Sequence, residues 1–196
     1  TVTNLVADED YFIPGLARLA DSMHWYGAKC AVQLQHPGRQ AALPREGKIT
    51  SNDMAVSLPW SQSRTIVYAN ADESKKTVRV LSTDEIIALI DLFSEAAWRV
   101  RQAGFDAVEL HAAHGYLLSQ FMSPYLNKRI DRFGGSFENR LRLPLAIVDS
   151  IQKKCGKDFP ILIRYSVDEW VPGGRDLSES IEVAKEFERV GVAALD

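Results

Sequence analysis

Apolar positions along this chain repeat with two periods in turn, and each change of period marks a new element. Over 11–27 they fall at Ile13, Leu16, Leu19, Ala20 and Met23, a helical spacing closed by Gly27. The stretch "CAVQLQH" (30–36) then alternates as a strand does. Ser82-Thr83-Asp84-Glu85 has the form of a capping box and opens a helix carrying Ile86, Ile90, Phe93, Ala97 and Val100, which stops at Gly104. Strand "FDAVELH" (105–111) follows at once. The pattern goes on to predict a helix over 136–155, a strand "PILIRYS" (160–166), a helix over 178–190 and the start of a strand at "VAALD". Short links from each helix to the next strand imply parallel strands with crossover helices.

The strands also show which way each side chain faces. Ala31, Gln33 and Gln35 share one face against Val32 and Leu34. Ala107, Glu109 and His111 oppose Val108 and Leu110, and Leu162, Arg164 and Ser166 oppose Ile161, Ile163 and Tyr165. A doubly wound sheet, covered on both faces, would read apolar on both. One apolar face, with the other turning polar toward the C-terminal end, predicts an α/β fold of the (β/α)8 TIM barrel type, whose inward face meets the active site at that rim. Four strands cannot close such a barrel, and a chain that stops inside a strand at Asp196 is expected to be a fragment covering roughly strands 3–6 of one barrel domain over 1–196. One connection is long: 37–82 follows the first of these strands, contains "RTIVYAN" and "KTVRVLS" around a polar turn, and is expected to form a hairpin acting as a lid or side wall.

Composition narrows the partners. The 196 residues are 46% hydrophobic and 25% charged with a formal net charge of −3, which offers no electrostatic footprint for nucleic acid. No apolar run reaches the roughly 18 residues of a membrane span. Cys30 and Cys155 are far apart in sequence, with no CxxC spacing; they read as buried thiols of a reducing, cytoplasmic compartment. A homo-oligomer is compatible with all of this.

The polar set expected at the rim is Gln33, Gln35, His36, Glu109, His111, His114, Tyr116 and Arg164. Three chemistries compete for it. Glu109, His111 and His114 have metal-ligand types, but their spacing straddles a strand end and a loop, and no carboxylate cluster accompanies them. A Schiff-base mechanism needs an inward lysine, and none of these strands has one. The third is a planar, electron-accepting ring. Gln33 can donate and accept along its edge, and Arg164 can neutralise the charge that gathers on reduction. The histidines can then donate to a substrate carbonyl, and Tyr116 can supply a proton. Against all three stands the plain alternative that each residue is a satisfied polar group in a network.

"AVQLQHPGRQA", "ELHAAHGYLLSQFMSPYLNKRIDRFGGSFENRLRLPLAIV" and "ILIRYS" resemble the old yellow enzyme family of FMN-dependent NADH:flavin oxidoreductases, closest to its 2,4-dienoyl-CoA reductase and 2-enoate reductase branch. The resemblance covers about 5–36 and 83–196 and leaves the long insertion unmatched. It implies a TIM barrel binding FMN, reduced by NAD(P)H, with hydride passing to the C=C bond of an enone, enoate or enoyl-CoA. By position it implies Gln33 and Arg164 as flavin contacts, His111 and His114 as the pair holding the substrate carbonyl, and Tyr116 as the proton donor. It implies a structural use for "FGGSFENR": a turn at Gly134-Gly135, a helix cap at Ser136 and an anchor at Arg140. The FMN phosphate is expected at loops beyond Asp196, as are the Fe–S cluster and FAD domain of larger relatives. A flavin amine dehydrogenase on the same barrel is the rival activity, which the histidine pair makes less apt, because an amine cation favours aromatic faces.

Overall fold

The computed structural model describes residues 7–40 and 80–196, and the predicted elements recur in it with ends shifted by a residue or two. In chain order the α-helices and strands of the described residues are α1 (Ile13–Trp25), β1 (Ala31–Leu34), α2 (Thr83–Gln102), β2 (Ala107–Ala112), α3 (Leu117–Met122), α4 (Phe137–Cys155), β3 (Ile161–Tyr165), α5 (Leu177–Arg189) and β4 (Ala194–Leu195). Apart from 80–82, the hairpin expected within 37–82 lies outside the described residues.

The four strands form one parallel sheet in the order β1-β2-β3-β4. Each strand pairs with the next in sequence, so every crossover steps one strand the same way. That is the winding of a barrel wall, whereas a doubly wound sheet reverses direction at a switch point. Register lines up Gln33 with Glu109 and Leu162, and His111 with Arg164 one row further up.

Burial agrees with the facing read from alternation. Leu34, Val108, Leu110, Ile161 and Ile163 are buried in one apolar core with Ile86, Leu89, Phe93 and Val100 of α2 and Leu143, Ile147 and Ile151 of α4. On the opposite face Ala31, Gln33 and Arg164 are exposed, and Glu109 and Leu162 are half-buried. The helices thus cover one side of the sheet, and the polar side is the one that carries the candidate site.

Local signals explain where the helices begin and end. The Ser82 hydroxyl accepts from the Glu85 amide at 3.2 Å, while the Glu85 carboxylate accepts from the Ser82 amide at 2.7 Å, a complete capping box. Ser136 and Asp176 cap α4 and α5 through the amides of Asn139 and Glu179. Gly104, at φ +85°, turns the chain out of α2 in a conformation that most side chains avoid.

α3 is the element the hydrophobic period does not reveal. All six of its residues are buried, so "LLSQFM" has no polar face to set a helical rhythm. The "FGGSFENR" turn has the structural use expected of it. A Cβ on Gly134 would lie 2.5 Å from the Arg129 carbonyl oxygen. Arg140 donates to the carbonyls of Met122 (3.0 Å) and Gly135 (2.8 Å) and pairs with Glu179 at 2.7 Å, tying the loop to α3 and α5.

Candidate flavin and substrate site

The C-terminal ends of β1, β2 and β3 bring the rim residues together. His111 is the last-but-one residue of β2, and its side chain is buried. The chain then turns through His114 at φ +56° and Gly115 at φ +69°, two successive left-handed residues. Glycine takes that conformation freely, but a histidine is strained in it and must be held there. Part of the hold comes from Ser166, just past β3, whose hydroxyl accepts the His114 amide at 3.2 Å. The turn folds the His114 ring back so that its Nδ1 lies 3.2 Å from His111 Nε2. Tyr116, the cap residue of α3, sets its ring edge-on to His111, with centroids 5.0 Å apart. The three rings that end "VELHAAHGY" therefore form one cluster.

A hydrogen bond between two imidazoles needs one donor and one acceptor. The pair cannot be doubly protonated and keep it. Burial lowers the pKa of His111 from the ordinary 6.5, and the charges of His114 and Arg164 push the same way. His111 is thereby held toward its neutral form, in which it can donate one N–H without bringing a full charge. His111 Nδ1 is buried and makes no hydrogen bond within the described residues. A polar group left so costs about 1–3 kcal/mol, which argues against reading the pair as a merely satisfied core network.

Gln33 and Arg164 stand on the open face to either side of β2. Gln33 donates one amide hydrogen to the Glu109 carboxylate. The second N–H and the carbonyl of that amide are still able to pair along the edge of a planar ring. Arg164, whose side chain is 44% exposed, meets Asp196 through Nε at 3.3 Å. An amide that both donates and accepts, with a permanent cation two strands away, is a donor set that fits the pyrimidine edge of a flavin.

Glu109, by contrast, does not join the histidines. Its carboxylate is turned to Gln33, and among the described residues the one group of three ligand-type side chains within 4.8 Å of one another is His24, Cys30 and Asp106, at the other end of the strands. Of the remaining rim residues, Gln35 is exposed. His36 is buried, and its Nδ1 accepts from the Gly38 amide at 3.0 Å.

Two contributors escape a reading by motif. Gln120 is fully buried in α3. Its Nε2 donates to the Gly115 carbonyl at 2.6 Å and its Oε1 accepts from the Arg39 amide at 3.4 Å, so it ties the loop after β1 to the histidine turn. Ser166 is the other. The signal for Gln120 was a lone amide inside an apolar run; nothing local marks Ser166.

Comparisons with known proteins identify the family. The family model described as NADH:flavin oxidoreductase / NADH oxidase matches residues 4–196. The chain is 40% identical over 191 residues to an NADH oxidase from Thermoanaerobacter brockii, covering 96% of this chain and 27% of that one. Among solved structures, a morphinone reductase variant in complex with tetrahydroNAD superposes with a TM-score of 0.77 at 30% identity, over 95% of this chain and 53% of that one. Histamine dehydrogenase from Rhizobium sp. 4-9 gives a TM-score of 0.75 at 30% identity, over 93% and 25%. The chain thus spans between a quarter and about half the length of these relatives. It belongs to the NADH:flavin oxidoreductase / NADH oxidase family, which uses FMN with NAD(P)H as reductant, and its four strands are part of a (β/α)8 barrel.

Proposed function

We propose that this chain supplies the substrate-activating wall of an FMN-dependent ene-reductase acting on an α,β-unsaturated carbonyl or enoyl compound. The observation that carries the reading is the His111–His114 contact of 3.2 Å with Tyr116 edge-on beside it. Gln33 and Arg164 would hold the ring of FMN on the open sheet face. When bound, that cofactor supplies the hydride, taken from NAD(P)H, to the substrate β-carbon.

The protein's own residues do the rest. The carbonyl oxygen, where negative charge builds as the β-carbon is reduced, replaces the hydrogen bond between the rings and accepts from His111 Nε2 and His114 Nδ1, which stabilise it as paired donors do in an oxyanion site. Donors aimed at that oxygen gain most as charge develops on it, so they favour the transition state over the neutral ground-state carbonyl. Tyr116 delivers its phenolic proton to the α-carbon, which completes addition of H2 across the double bond.

The test uses the full-length protein. It should purify yellow, bleach with NAD(P)H without oxygen, and regain colour on adding an enone. Retention of FMN at wild-type affinity in both Gln33→Ala and Arg164→Ala would remove the ring-edge assignment. A second reading, oxidation of an amine, draws on the likeness to histamine dehydrogenase. Under it, amines would bleach the oxidised protein and enones would not reoxidise the reduced one. Two imidazoles converging on one point, with no aromatic box around a cation among the described residues, favour the carbonyl.

A further inference from the structure

At the N-terminal end of the sheet, far from the histidine pair, three unlike ligand groups converge. His24 comes from the last turn of α1, Cys30 immediately precedes β1, and Asp106 immediately precedes β2. His24 Nε2 lies 2.7 Å from Asp106 Oδ2, and the Cys30 sulfur lies 3.7 Å from each of those two atoms. No step of the proposed chemistry uses any of them. From Asp106 to His111 the strand rises about 16 Å, so the cluster is out of reach of the rim.

We propose that His24 Nε2, Cys30 Sγ and Asp106 Oδ2 form a zinc-binding site, with water as the fourth ligand. Bonds of about 2.3 Å to sulfur and about 2.0–2.1 Å to nitrogen and oxygen set tetrahedral edges of roughly 3.3–3.6 Å between ligand atoms. The two edges that include sulfur are already close to that at 3.7 Å. Only the nitrogen–oxygen edge, now 2.7 Å because a proton bridges it, must open, by about 0.6 Å. On binding, the Cys30 S–H bond breaks, a sulfur–zinc bond forms and the proton leaves to solvent. His24 moves its proton to Nδ1 and donates the Nε2 lone pair.

The surroundings suit the ion. Asp106 uses its other oxygen, Oδ1, for Lys29 at 2.7 Å, and the Cys30 amide donates to Oδ2 at 2.9 Å. Both bonds fix the carboxylate as outer-shell partners of metal ligands do. Cys30 is buried, while His24 has 35% of its side chain exposed, which leaves a path for the ion and its water. A thiolate with an imidazole selects a borderline-soft cation and discriminates against Mg2+ and Ca2+. Bridging α1, β1 and β2, the ion acts on the stability of the fold and not on hydride transfer.

The test is made on the full-length, FMN-loaded protein. After dialysis against Zn2+ and removal of loose metal, one zinc per chain is expected, with a higher Tm than the chelator-treated protein. Mg2+ should leave Tm unchanged. Co2+ should give a thiolate-to-metal charge-transfer band and tetrahedral ligand-field bands at longer wavelength than the flavin absorbs. Cys30→Ser should abolish the charge-transfer band, and Cys30→Ser and His24→Gln should each weaken zinc binding at least tenfold, with FMN content unchanged. Equal zinc affinity in wild type and both variants, or a Co2+ spectrum without the thiolate band in the wild-type protein, overturns the proposal. The wild-type spectrum decides the matter even where a variant fails to fold.

Discussion

Gln120 reaches out of α3 to the Gly115 carbonyl, its Nε2 only 2.6 Å from that oxygen, and so holds the strained turn that presents His114. The same side chain closes off space at the loop after β1, where a Cβ on Gly38 would lie 2.7 Å from Gln120 Nε2. Gly38 sits at φ +58°, so Gly38→Ala both strains the backbone and displaces Gln120. We expect it to lower stability by roughly 1–3 kcal/mol in urea unfolding and to weaken binding of an enone to the holoprotein. Gln120→Leu should reproduce the binding defect without the backbone strain.

Protonation of His111 predicts a pH dependence. His111 is held below 6.5 when folded, by burial first, whereas the unfolded chain takes up its proton near that value. As the pH falls through 6.5 toward the lowered value, the unfolded state binds the proton and the folded state does not. Stability is thus undiminished above 6.5, declines across that window and levels off below it. His111→Gln should remove this part of the decline when urea midpoints of the two proteins are compared at a series of pH values.

Arg140 is a stability residue despite its place in a glycine-rich motif. It is buried, donates to two carbonyls and pairs with Glu179. Arg140→Leu leaves all three acceptors without it and should cost roughly 3 kcal/mol in denaturant unfolding. Arg140→Lys keeps the charge but not the fork, and should fall between.

At the start of α2, Ser82→Ala removes the acceptor of the Glu85 amide and should cost about 1 kcal/mol by the same measurement. Ser82→Asp, able to accept the same bond, should cost less.

What could be read ahead of the structure follows from physical range. Strand facing was legible at Gln33, Glu109 and Arg164 because one side of the sheet is covered by helices and the other is not, which leaves a period-two trace in sequence. The cluster of His111, His114 and Tyr116 was legible because its members lie within six residues. The Gln33–Glu109 bond depends on register between strands 76 positions apart, which no local pattern carries. α3 was hidden by uniform burial, and Gln120 with it. The His24–Cys30–Asp106 cluster assembles from three separate segments, so Cys30 read simply as a buried thiol.

The central claim is that Tyr116 protonates a substrate held by the histidine pair, and stopped-flow spectroscopy of Tyr116→Phe in the full-length protein tests it most directly. Reduction of the flavin by NAD(P)H should proceed at the wild-type rate, while reoxidation by an enone should slow by about 10²–10⁴-fold. Reoxidation by the enone at the wild-type rate, with normal flavin reduction, would contradict it.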